Sequence, residues 1–404
     1  MVSSSKMKYL ALTVLSAPLS FWIFFTSYPT ILSLSTSISS KVLAVLLTAL
    51  TIKTNVSLIR SHLFERRAGA QGCGTVPTIP HKDPVLGLDT FYHTLRALKA
   101  FRLMEYYAER FVIYGNTHYT LALGQKMLIT SERDNIKTIL ANKMEDWPIA
   151  GPRLYAALPV LGPRSIFTSN GPIWHDARAM IRPSFVRDQV ADLQYFDKHI
   201  QNFLAAIPRD GTTFDIQGLL LKMTMDSSTD FMLGYSTNSL VKASPDATQF
   251  LEDFEYASAE STRRARLGPI LYHLPHRKLS VAIARLRAYV RFSMGRAIEK
   301  KTKTSGSDRS YVFLDELLKA NAPEEHVVDQ ILSIIVAGRD TTAAAAASVF
   351  YCLARDPESV RKLRKEIADL GVESPTLEEL RQLKFLNNVV REGRNPCSAR
   401  LLKS

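Results

Sequence analysis

The stretch from Glu324 to Leu353 reads as one long apolar helix with no interior proline. A helix that is apolar on all sides must be surrounded by other protein or by lipid. It therefore calls for a large helical body, and the remaining sequence supplies one. Helical spacing of apolar residues predicts helices over Thr90–Tyr107, Asn135–Ala141, Asp188–Ile207, Asp215–Leu233, Ala247–Arg266 and Val281–Thr302. Asp356-Pro357 opens a charged helix through Leu370, and Thr376 with Glu379 offers a capping box for the next. Tyr119–Leu123 and Lys126–Ile129 predict a short hairpin around Gly124-Gln125. With 404 residues, 46% of them hydrophobic, the chain can bury a large core. The expected fold class is mostly α with a small early β-sheet, in one large body.

Within the long helix lies Ala337-Gly338-Arg339-Asp340-Thr341-Thr342. An acid and two hydroxyls are out of place between Ile334-Ile335-Val336 and the alanines 343–347. Gly338 weakens the helix by about 1 kcal/mol relative to alanine. A threonine hydroxyl can bond a carbonyl one turn earlier and open the helix locally. Two readings fit. One is a site where a diatomic molecule lies over a flat cofactor and receives protons. The other is an alanine-rich packing helix with a polar kink.

A second feature is Trp174-His175-Asp176-Ala177-Arg178. Residues four apart share a helix face. An indole N–H and a guanidinium on one face can clamp a carboxylate. The alternative is an exposed aromatic beside an arginine. His175 reads as a surface histidine, since no ligand partner stands at metal spacing. No metal site is expected from the cysteines either. Cys73, Cys352 and Cys397 are too few and too scattered for a zinc site or a disulfide framework, and they fit a reducing compartment.

Tyr9–Tyr28 is apolar and uncharged for long enough to span a bilayer, and Ile31–Ile52 follows with Lys41 in its middle. Lys53, Arg60, Arg66 and Arg67 flank it downstream, which places the body on the cytosolic side of an anchored protein. Residues 1–60 are thus read as anchor and flank. Residues 61–89 are read as a hinge, because Gly69–Pro84 is too rich in Gly and Pro for helix. Residues 90–392 form the body, and 393–404 an aberrant tail. The formal net charge is +13. The basic residues are scattered without a basic run or interleaved aromatics, which argues against nucleic acid. A membrane surface and an acidic redox partner fit better.

Taken together, the two motifs resemble the cytochrome P450 family. A-G-x-D-T-T matches its oxygen-activating helix, W-x-x-x-R matches its heme-propionate clamp, and their order and separation agree. His81-Lys82-Asp83-Pro84-Val85-Leu86-Gly87-Leu88-Asp89, Arg182-Pro183-Ser184-Phe185 and Phe214-Asp215-Ile216-Gln217 look like the fungal branch that hydroxylates n-alkanes and fatty acids. The resemblance implies heme as cofactor. It implies that Asp340 and Thr341 deliver protons to bound dioxygen, and that Trp174 and Arg178 hold a propionate. Ala337 and Gly338 would line the distal pocket. It further implies an NADPH-dependent cytochrome P450 reductase as partner, a lipophilic substrate from fungal lipid or secondary metabolism, and an endoplasmic reticulum membrane location.

The pattern departs after Glu392. The family's E-x-x-R would need arginine where Asn395 stands. Arg394 is one place early, about 100° around the helix. Pro396 then breaks the helix, and Cys397 lacks the loop pattern of the family's proximal cysteine ligand. The expectation is a monooxygenase relative truncated before its thiolate, inactive as it stands and poorly soluble. A frameshift or mis-spliced exon past residue 392 would account for it. A basic peripheral membrane protein without heme ancestry is the remaining rival, and it leaves both motifs unexplained.

Overall fold

The structure, a computed structural model, describes residues 48, 52, 55–56, 59–60, 62–185, 193–267, 274–303, 313–320, 322–372 and 374–393. The Tyr9–Tyr28 segment, nearly all of Ile31–Ile52, and the tail from Arg394 lie outside the described residues. Among the described residues, no helix is long and apolar enough to cross a membrane. The chain divides into two compact units, Met1–Met144 and Glu145–Ser404.

In the first unit, helical turns cover residues 62–70, so Gly69 lies in helix and the predicted hinge starts later. The segment beyond is not a bare linker. Thr78 bridges in parallel to Tyr119, and Ile79 is buried. The predicted helix Thr90–Tyr107 is two helices, α1 (Leu88–Lys99) and α2 (Leu103–Tyr114). The break falls at Phe101, whose φ of 55° cannot continue a helix. The hairpin is present as β1 (Thr117–Ala122) and β2 (Gln125–Thr130), antiparallel with Ala122 opposite Gln125. Its turn is Leu123-Gly124, one residue earlier than predicted. Both residues have positive φ, as a two-residue turn matched to strand twist requires. His81 braces this hairpin with both ring nitrogens, one on Thr90 Oγ1 and one on the Leu121 amide, each at 3.0 Å. The short helix α3 (Arg133–Lys137) runs on into a π-helical turn over Thr138–Asn142.

The second unit is helical. Its elements are α4 (Pro152–Leu161), α5 (Gly171–Ile181), α6 (Gln194–Ala206), α7 (Ile216–Leu233), α8 (Pro245–Leu267) and α9 (Arg277–Lys303). They continue with α10 (Phe313–Lys319), α11 (Glu324–Ala354), α12 (Pro357–Leu370), α13 (Leu377–Gln382) and α14 (Lys384–Gly393). The helix ends follow local chemistry. Asp215 accepts from the Gln217 amide at the start of α7, and Asp356 accepts from Ser359 at the start of α12. The Thr376–Glu379 capping box forms at α13. Glu366 of α12 accepts from the Phe385 and Leu386 amides, both at 2.8 Å, and so caps α14 from outside.

The core gathers around the first half of α11. Val328, Ile331, Leu332 and Ile335 are fully buried there, as the apolar run demands. α7, α8, α9 and α10 surround it. Phe250 of α8 stacks on Tyr289 of α9 at 4.4 Å, and Phe313 of α10 is fully buried. The α10 helix was not predicted, since seven residues are too few for a clear period.

Glu260 of α8 is buried at 8% exposure and anchors a cluster with Arg263, Arg264 and His276. Arg263 donates to both its oxygens at 2.7 Å. Those bonds hold the Glu260 carboxyl below the usual glutamate range against the opposing effect of burial. A depressed carboxyl stabilises the fold above its unfolded pKa, about 4.3, and that contribution is lost as pH falls through the folded value. Glu260→Gln is therefore expected to lower stability by about 1 kcal/mol at neutral pH. It should also give a shallower loss of stability on acidification below pH ~4.3 in thermal melts across pH. Equal acid sensitivity in both proteins would contradict this.

Candidate active site

Trp174 and Arg178 sit one turn apart on α5, which Asn170 precedes as N-cap. The guanidinium carbon of Arg178 lies 5.2 Å from the centre of the Trp174 ring, a cation–π contact that fixes the two side chains on one face. Arg178 is exposed, and no carboxylate among the described residues pairs with it. Among the described residues it is a cation held in place by the indole without a carboxylate partner. His175 packs edge-on against the Trp174 ring, with centroids 5.0 Å apart, and is exposed with Nε2 3.8 Å from Glu145, as a surface histidine should be.

The start of α5 is tied to α11 by a polar staple that sequence reading missed. The loop after α4 lays its backbone along α11. Arg164 N donates to Asp329 Oδ2 at 3.1 Å, and Ile166 N to Gln330 Oε1 at 3.2 Å. Gln330 Nε2 donates to the Arg164 carbonyl at 2.5 Å, and Ser165 Oγ shares a hydrogen with Ser333 Oγ at 2.6 Å. Asp329, Gln330 and Ser333 are buried, and they occupy one face of α11 at i, i+1 and i+4. The signal was present in the sequence as three polar residues inside an apolar helix.

Further along, α11 carries the hexapeptide. Thr341 Oγ1 donates back to the Ala337 carbonyl at 2.6 Å, the predicted bond, yet the helix stays continuous. The alanine run is divided between two tasks. Ala343, Ala346 and Ala347 pack against Phe203 of α6 and Leu220 of α7. Thr341, Ala344, Ser348 and Tyr351 form an exposed stripe at helical spacing. The packing alternative thus holds on one side of the helix, and the other side is exposed. The space left by Gly338 is taken up by α7, since a Cβ there would stand 3.1 Å from Ser228 Oγ. Asp340 is half exposed and bonds the neighbouring Arg339 at 3.0 Å. Cys352 is half-buried, less enclosed than a core thiol, and Cys73 is exposed. Cys397 lies outside the described residues.

The cytochrome P450 family model matches residues 84–393. The chain belongs to the cytochrome P450 family. Among its relatives, the cytochrome P450 monooxygenase himC of Aspergillus japonicus is 37% identical over 333 residues, 80% of this chain and 59% of that protein. The cytochrome P450 monooxygenase FPY7 of Fusarium mangiferae is 32% identical, covering 89% of this chain and 71% of its own length. Cytochrome P450 52E1 of Candida apicola is also 32% identical, covering 82% and 66%. The chain thus spans roughly three-fifths to seven-tenths of the length of these fungal P450s. A P450 implies heme, and two observations fit that group. An arginine stacked on a tryptophan, with no carboxylate partner among the described residues, suits a propionate, and a stripe of small and hydroxyl side chains on α11 leaves room beside a flat ring.

Proposed function

We propose that this P450 chain supplies the propionate clamp and the oxygen-side helix of a monooxygenase that hydroxylates a lipophilic substrate. The observation that carries the proposal is the Trp174–Arg178 pair, pre-stacked and without a carboxylate partner among the described residues. An arginine held on an aromatic face loses little freedom when it binds an anion, so it favours a carboxylate more than a mobile arginine would. In this reading Trp174 Nε1 and Arg178 donate to a heme propionate. Bound heme supplies the redox-active iron that activates dioxygen. Ala337 and Thr341 shape the oxygen side, and Asp340 with Thr341 carries protons inward from solvent. The half-exposure of Asp340 supports that role, because a proton relay needs one end in water. The similarity to fungal P450s and to the alkane- and fatty-acid-hydroxylating branch supports a long apolar substrate. It also supports electron supply by an NADPH-dependent reductase at the endoplasmic reticulum membrane.

The test is heme titration of the full chain in detergent, followed by Soret absorbance. Arg178→Ala is expected to weaken heme retention by about tenfold, the loss of one charge-assisted bond. An affinity unchanged in both Arg178→Ala and Trp174→Phe would remove the clamp from the proposal. Reduction under carbon monoxide then reports the ligand. A Soret band shifted to the red as thiolates shift it would assign ligation to a cysteine of this chain. Heme uptake without that shift would limit the chain to the binding face alone.

A further inference from the structure

Arg339 occupies the variable position of the hexapeptide, yet it is among the most enclosed charges in the protein, at 5% exposure. Its guanidinium cannot lose its proton, so burial obliges it to find counter-charges. It finds two. Nη2 donates to Glu255 Oε1 of α8 at 2.7 Å, and Nη1 donates to Asp340 Oδ1 at 3.0 Å. The group also lies 5.3 Å from the centre of the Phe254 ring, which is itself buried, while its Nε has no hydrogen-bond partner among the described residues. Phe254 and the two bonds together allow the guanidinium little freedom.

The bond to Asp340 is unusual in its geometry. Adjacent helical residues project about 100° apart and do not normally meet. The 3.0 Å contact therefore requires the two side chains to lean toward each other along α11. Asp340 is otherwise half exposed and would sample several rotamers. We infer that Arg339 is a positioning residue that fixes the direction of the Asp340 carboxylate, with Glu255 tethering the arrangement to α8. The inference rests on the proposed function only for what Asp340 then does. Arg339 is itself bonded to Glu255, an acid 84 residues away in sequence.

The test needs no heme, so its outcome is separate from the heme titration. The full chain is labelled with a water-soluble carbodiimide and an amine, with exposed Asp197 as internal reference. Hydrogen exchange across Pro245–Leu267 is read in parallel. Arg339→Met is expected to raise Asp340 labelling about fivefold, the release of one ordinary bond, and to raise exchange in α8. Glu255→Gln is expected to raise exchange in α8 while leaving Asp340 labelling within about twofold, because Arg339 still holds the acid. A general loosening would instead raise both readouts in both variants, and that result would overturn the inference. Unchanged Asp340 labelling in Arg339→Met would overturn it as well. Arg339→Lys keeps the charge without the planar fork and covers a failure of the methionine variant to fold. It is expected to give intermediate labelling, and labelling at the native rate would count against the role.

Discussion

Asp329→Ala is expected to lower the stability of the Glu145–Ser404 unit by about 3–5 kcal/mol, read as the shift of the urea unfolding midpoint. The carboxylate is 2% exposed. Oδ1 accepts from Arg287 Nη2 at 2.7 Å, and Oδ2 accepts from the Arg164 amide at 3.1 Å. Removing it leaves a largely buried guanidinium with Glu325 as its one ion-pair partner among the described residues, and a part-buried amide that has lost its acceptor. Both penalties act together, because a charge or donor stripped of its partner bears the full desolvation loss. Against a total of roughly 5–15 kcal/mol, the loss would bring the unit near its unfolding threshold. Asp329→Asn keeps the shape and one acceptor and should lose about half as much. A change below about 1 kcal/mol for the alanine variant would show that the staple is not needed. The effect should also reach function, since the staple sets where α5 begins relative to α11 and hence where Arg178 stands. Heme retention should therefore fall in Asp329→Asn even under conditions where the protein remains folded.

The features legible in the sequence were those whose partners lie within a few residues. Asp215 before α7, Asp356-Pro357 before α12 and Thr376 with Glu379 at α13 each act across two or three positions. The Thr341 back-bond and the Trp174–Arg178 pair span four. Such contacts follow from helix geometry alone. What escaped the sequence were features set by distant chain. The staple joins residues about 165 apart, and Arg339 reaches Glu255 across 84. No period announces a partner at that range. The break at Phe101 escaped for another reason. A phenylalanine at positive φ is a conformation that local preference argues against, so only the surrounding fold imposes it. The reasoning that singled out Asp340 as a misplaced polar residue in an apolar helix applies equally to Arg339, Asp329, Gln330 and Ser333. Applied consistently, it points to the staple and the Arg339 bridge, though not to what each one touches.

Gly162→Ala should cost about 3–5 kcal/mol, although the change is a single methyl group. Gly162 ends α4 with φ 79° and ψ 169°, a region of backbone space that is essentially glycine's alone. Any side chain there is strained by about 1–3 kcal/mol before its surroundings are counted. The surroundings add to it, because a Cβ at Gly162 would overlap the Asp329 carboxylate. That carboxylate cannot withdraw freely, since Arg287 and the Arg164 amide hold its two oxygens. The methyl must therefore break one of those bonds or push the loop off α11. This makes the two substitutions dependent on each other. In an Asp329→Ala background the overlap is gone and only the backbone strain remains. Gly162→Ala should then cost about 1–3 kcal/mol, giving a coupling of about 2 kcal/mol in a double-mutant cycle of unfolding free energies. Additive losses would mean that the methyl is accommodated by movement of α4 instead, and that the carboxylate does not set the limit on the turn.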